Sequence, residues 1–115
     1  MAYFDCMVCA VPTDNKEAYR AHAQKAFALF QQNGAQSMIE CWGDDIPEGE
    51  KNSLHTAVMR EPNEAIVMSH IRWPSKEVRD AAWQELMSSP DMHQMDMPFD
   101  GSRMIHGGFD MLLEF

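Results

Sequence analysis

The stretch that most constrains this chain is MPFDGSRMIHGGFDMLLEF, Met97 to Phe115. A Pro, an Asp-Gly turn and an Arg lead into Ile105, Phe109, Met111, Leu113 and Phe115 at odd positions, with Asp110 and Glu114 at even ones. That period of two is the pattern of a half-buried strand. A last strand stays ordered only against a sheet that is already there, so the preceding residues must supply the sheet and a cover for its apolar face.

They do so in a regular order. Tyr3 to Val11 alternates as a first strand, closed by Pro12. Asp14 and Glu17 have the spacing of a capping box. From there Tyr19, Ala23, Ala26, Phe27 and Phe30 recur as the buried stripe of a helix that Gly34 ends. Ala35 to Trp42 predicts a second strand, and GDDIPEGEKN an exposed loop. Ser53 to Arg60 and Ala65 to Trp73 predict a hairpin turning at EPNE. Ser75 caps a second helix with the stripe Val78, Ala82, Trp83, Leu86 and Met87, and Pro90 stops it.

Strand, helix, strands, helix, strand is the split βαβ order. The fold expected is α+β and ferredoxin-like, one domain over residues 1–115, with an antiparallel sheet carrying both helices on one face. Counting parity puts Phe4, Cys6, Val8, Ile39, Cys41, Val67, Ile71, Ile105, Phe109 and Met111 under the helices. The bare face then holds Tyr3, Met7, Met38, Trp42, Ile66, Met68, Met104 and Leu112, with Asp5, Glu40, His70, Arg72, His106 and Asp110. Such a face is too apolar to leave in water, and a second copy packed sheet against sheet would cover it. A homodimer enclosing a pocket lined by carboxylates, imidazoles and methionines is the expectation.

Composition narrows the function. The chain is 115 residues long, enough to bury a core without staples. Its 18 acidic against 9 basic side chains, a formal charge of −9, repel phosphate backbones and anionic lipid, so neither nucleic acid nor membrane is an expected partner. Three Cys, an odd number, and no apolar leader after MAYFDC predict a reduced, cytoplasmic setting.

Cys6 and Cys9 form a C-x-x-C pair, but residues three apart in a strand point to opposite faces roughly 10 Å apart, and neither chelate nor bridge. Met92, His93, Met95 and Met97 are soft ligands at short spacing, yet the chain has 11 Met, and gap-filling explains them better. No metal and no cofactor are expected. Gly107 and Gly108 sit in a strand, where they mark a bulge or a close backbone approach. The candidate ligand-binding set is Asp5, Glu40, Trp42, His70, His106 and Asp110, with His70 and His106 as candidate proton-transfer groups beside a carboxylate. The same set could equally be a satisfied polar network.

YFDCMVCAVP, NKEAYR, ECWGDDIPEGE and above all MPFDGSRMIHGGF resemble the small bacterial YbaA-like family of unknown function, nearly end to end. The resemblance implies the dimeric α+β-barrel superfamily, whose distant members include cofactor-free monooxygenases and muconolactone isomerases. It also implies that aromatic residues often replace His70 and His106, which argues against a family-wide catalytic role for them. Two functions follow as expectations. One is a homodimer binding a small apolar or weakly polar ligand, between sheet and helices or between subunits. The other is a cofactor-independent monooxygenase or isomerase of a small organic substrate.

Overall fold

The computed structural model describes residues 1–115. In chain order it runs β1 (Tyr3–Pro12), α1 (Lys16–Gln32), β2 (Ser37–Trp42), α2 (Leu54–Ala57), β3 (Glu64–Trp73), α3 (Lys76–Met87), α4 (Pro90–His93) and β4 (Ile105–Asp110). The four strands pair antiparallel in the order β2-β3-β1-β4. The central pair, β1 and β3, thus comes from the two halves of the chain, which is the ferredoxin-like split βαβ topology.

Two helices cover one face. Ala26 and Phe30 of α1, and Ala82 and Leu86 of α3, close on Tyr3, Ile71 and Trp73. Further along, Tyr19 and Ala23 of α1 cover Cys9, Val11 and Val67. Gly34 follows α1 at φ +108°, a left-handed conformation that glycine adopts without a Cβ penalty, and it turns the chain into β2. At α3 the Ser75 side chain accepts from the Val78 N–H, the expected N-cap.

Register reverses the facing of three strands. Cross-strand partners share a face, and β1 pairs Tyr3 with Trp73, Asp5 with Ile71 and Cys9 with Val67, all toward the helices. Ile71 in turn faces Met38, Ser69 faces Glu40, and Val67 faces Trp42. On the other edge Met7 faces His106 and Tyr3 faces Asp110. The helix side therefore carries Tyr3, Asp5, Met7, Met38, Glu40, Trp42, His106 and Asp110, which parity had placed on the bare side. Phe4, Cys6, Val8, Ile39, Cys41, Ile105 and Phe109 are on the bare face instead. Only β3 keeps its expected facing, with Met68, His70 and Arg72 bare. The misleading signal was polarity: Asp5 and Glu40 look like outward residues, but each finds hydrogen-bond partners beneath a helix.

Three local expectations also change. Ser53 to Arg60 contains a short helix, because Ser53 and Thr56 form a reciprocal capping box that competes with extension. Val58 from this segment, with Ile46, then packs on Ala10 and Ile66 and covers one end of the bare face. At α1 the Asp14 and Glu17 capping box does not form; a 3-10 turn over Thr13–Asn15 precedes the helix, and Asn15 donates to the Pro98 carbonyl at 2.9 Å. The last strand stops at Asp110, leaving Met111 and Leu112 outside the sheet, and Met87 is exposed on α3.

Candidate functional site

The expected constellation is not one site. Asp5 accepts from both the Trp73 and Trp83 indole N–H groups, at 2.9 and 2.8 Å, and from Arg79, whose Nη2 lies 2.7 Å away. Those donors use the carboxylate fully, so Asp5 pins α3 to the sheet and leaves no lone pair facing a cavity. His70 lies alone on the bare face, edge-on to Phe4 at 5.7 Å, with a buried Nδ1 that has no partner. His106 and Asp110 are exposed on the edge strand β4. Of the six, Glu40 and Trp42 come together, two residues apart on β2 under α1.

Around them is a groove of about 420 Å³ between α1 and β2, walled by Phe27, Met38, Trp42 and Val67, with Lys16 and Arg20 from the first turns of α1. A smaller space of about 110 Å³ lies behind it, lined by Met7, Cys9, His22, Ser69, Phe99 and Met104. Tyr19 and Glu40 line both spaces. The Tyr19 hydroxyl donates to Glu40 Oε1 at 2.7 Å and so forms the partition.

The MPFDGSR segment builds the far wall. Phe99 packs on Tyr19 at 5.6 Å and on His22 at 6.1 Å. Asp100 accepts from the Ser102 N–H and turns the chain, and Arg103 then grips Glu64 with two contacts of 2.7 Å. Glu64 is buried although it lies near the periphery, covered by the Arg103 guanidinium. The Arg103 hydrogen bond holds its pKa below the ordinary carboxylate range.

Glu40 moves the other way. The residue keeps an exposed flank at the groove mouth, but the protein packed around its carboxyl raises its pKa, against the lowering effect of the Tyr19 hydroxyl. Burial first, then Glu40, pushes the Tyr19 phenol up. Burial also pushes the Cys9 thiol up to about 11, with the Glu40 charge adding to it. Burial lowers His22, opposed by a backbone hydrogen bond at Asp96. Near neutrality the inner space thus offers a protonated phenol, a protonated thiol and an uncharged imidazole beside the Glu40 carboxyl. The thiol is far from being a nucleophile. Cys6, on the bare face, points away from Cys9, and no group of three or more His, Cys, Asp or Glu side chains is disposed to hold a metal ion.

Tyr19 was legible only as part of a buried stripe. Its hydroxyl was the signal for more, because a buried tyrosine needs an acceptor. Lys16, Arg20, His22, Ser69 and Phe99 carried no such signal, since only register and helix docking bring them to Glu40.

A four-stranded antiparallel sheet with two helices on one face, and a cleft between helix and edge strand, defines a ferredoxin-like α+β protein. Residues 2–101 match the family described as "Protein of unknown function (DUF1428)", and the chain belongs to that family. It is 50% identical to "Uncharacterized protein YbaA" of Escherichia coli K12 over 116 residues, covering 99% of each chain. The Shigella flexneri protein of that name matches to the same extent. Among solved structures, one described as "Putative Antibiotic Biosythesis Monooxygenase from Bacillus cereus" superposes with a TM-score of 0.53 at 14% identity, over 100% of this chain and 95% of that one. That likeness establishes a common fold.

Proposed function

We propose that this chain is a cytoplasmic homodimer that binds a small apolar or weakly polar organic molecule in the groove between α1 and β2. The observation that carries the reading is the Tyr19 and Glu40 pair set in a cleft with aromatic and aliphatic walls. A few convergent polar groups among aromatic and aliphatic walls is the usual make-up of a ligand site. Residues 1–115 act as one domain in this reading, because the sheet draws its central strands from both halves. Three unpaired cysteines support the reducing setting.

Dimerisation is supported by the bare face, where Ile39, Met68, Ile105 and Phe109 are 42–56% exposed and flank Phe4, Cys6 and His70. The neutral ester methyl para-hydroxybenzoate tests the ligand site. Titrated by NMR, it should shift the Trp42 indole and Tyr19 signals. Shifts confined to the bare face, or none, would refute the site.

The second reading is a cofactor-independent monooxygenase or isomerase of a small organic substrate. It is favoured by the raised pKa of Glu40, since burial makes this carboxylate a stronger base than an ordinary one for taking a proton from a bound substrate. Turnover lost in Glu40→Gln with binding retained would support it. Turnover unchanged in that variant would sink it.

A further inference from the structure

Two of the chain's nine basic residues lie on this one groove, in a protein with twice as many acids as bases. Lys16 and Arg20 are one helical turn apart and Gln24 a turn further, so the three form a row along one wall. Lys16 has no carboxylate partner, and its ammonium stands over the Trp42 ring at 5.2 Å. Arg20 is held by Glu17 at 3.0 Å, an exposed pair that leaves other guanidinium donors free. Trp42 faces this row from β2, and Phe27 continues it on α1 beyond Gln24. Two residues from Trp42 along β2 sits Glu40, with one oxygen taken by Tyr19 and the other open to a donor.

From this order of cation, aromatic wall and acceptor we infer that the groove selects a small planar aromatic acid carrying a hydroxyl group. Its carboxylate meets Lys16 and Arg20, its ring lies against Trp42, and its hydroxyl donates to Glu40. The inference rests on the ligand-binding reading above and adds the chemical class. A groove of about 420 Å³ suits a single ring with two substituents. The opposed ends also set direction: a ligand entering acid-first would bring its carboxylate against Glu40 and be repelled.

Calorimetric titration of the intact protein with three probes sharing one ring tests this: para-hydroxybenzoate, its methyl ester, and tyramine. In low salt the acid should bind about fivefold tighter than the ester, and tyramine weakest, a spread typical of exposed charge pairs. Molar sodium chloride should erase the acid's advantage. The double variant Lys16→Gln, Arg20→Gln should erase it too, so that within the variant acid and ester bind alike; both side chains are exposed, and an unaltered melting curve confirms the fold. Tyramine binding tightest would show that Glu40 is the anchor and overturn the inference. An acid advantage that survives the double replacement would do the same. If the ester binds and the acid is no tighter, the groove is a ligand site without this selectivity. If none of the three binds, the ligand-binding reading itself falls.

Discussion

Glu40 and Asp5 are both carboxylates on the helix side of the sheet, and they respond to it in opposite ways. Glu40 has one hydrogen bond and a pKa raised from 4.5. A raised folded value means that Glu40 contributes stability below pH 4.5, which is lost as pH rises through the folded value, so the charged form is a liability near neutrality. Glu40→Gln keeps an acceptor for Tyr19 and removes that liability. Thermal melts of the two proteins should therefore coincide in acid and separate above it, with the variant the more stable; a variant less stable at neutral pH would contradict this. Asp5 has the partners that Glu40 lacks, namely two indoles and Arg79, and its side chain is 8% exposed. Asp5→Asn turns an acceptor into a donor facing N–H groups and leaves Arg79 without its counter-charge. Urea denaturation should show a loss of about 3 kcal/mol or more. In sequence both residues are lone acids in a strand, and nothing local tells the pinned carboxylate from the one whose pKa is raised.

At the scale of elements, the order of strands and helices was legible because α1 and α3 carry apolar stripes at helical spacing and because Gly34, Ser75 and Pro90 punctuate them. Facing was not, because β1 is apolar on both sides: Tyr3, Cys9 and Val11 serve the helices, while Phe4, Cys6 and Val8 serve the bare face. With both faces apolar, the only polar cue in β1 is Asp5, and it points inward. A one-residue choice of phase then reverses every side chain of a strand. Gly108 shows what phase means for β4. It stands opposite Asp5 on the helix side, and a Cβ there would run into the Tyr3 hydroxyl and lie 2.9 Å from Arg79 Nη2. The expected close backbone approach is thus made by the second glycine, while at Gly107 a Cβ would meet only Phe109, at 3.6 Å. Gly108→Ala should cost about 1–3 kcal/mol by displacing Tyr3 and Arg79 or β4 itself, and Gly107→Ala markedly less. Equal losses in urea melts of the two variants would refute this account of the strand.

At the scale of the whole molecule the unsolved surface is the bare face, and its residues differ from those parity suggested. Leu112, placed there from the sequence, is 91% exposed beyond the end of β4 and is no test of the interface. Met68 is the better probe. It sits in the interior strand β3 between Val8 and Cys41, on the bare side, and is 42% exposed in the isolated subunit. An aspartate at that position is hydrated while the face is open, so Met68→Asp leaves a monomer's fold intact. Against a second sheet the same carboxylate is buried without a partner, at a cost of several kcal/mol. Sedimentation should then show twice the chain mass for the wild type at micromolar concentration and a folded single-chain mass for Met68→Asp, with unchanged circular dichroism separating dissociation from unfolding. Arg72, on the same face and stacked on Phe4 at 5.5 Å, is tied by Glu114 at 2.8 Å, so the residues after β4 reach back to the rim of this surface. A wild-type protein that sediments as a stable monomer, or a Met68→Asp variant that remains dimeric, would remove the bare face as the interface.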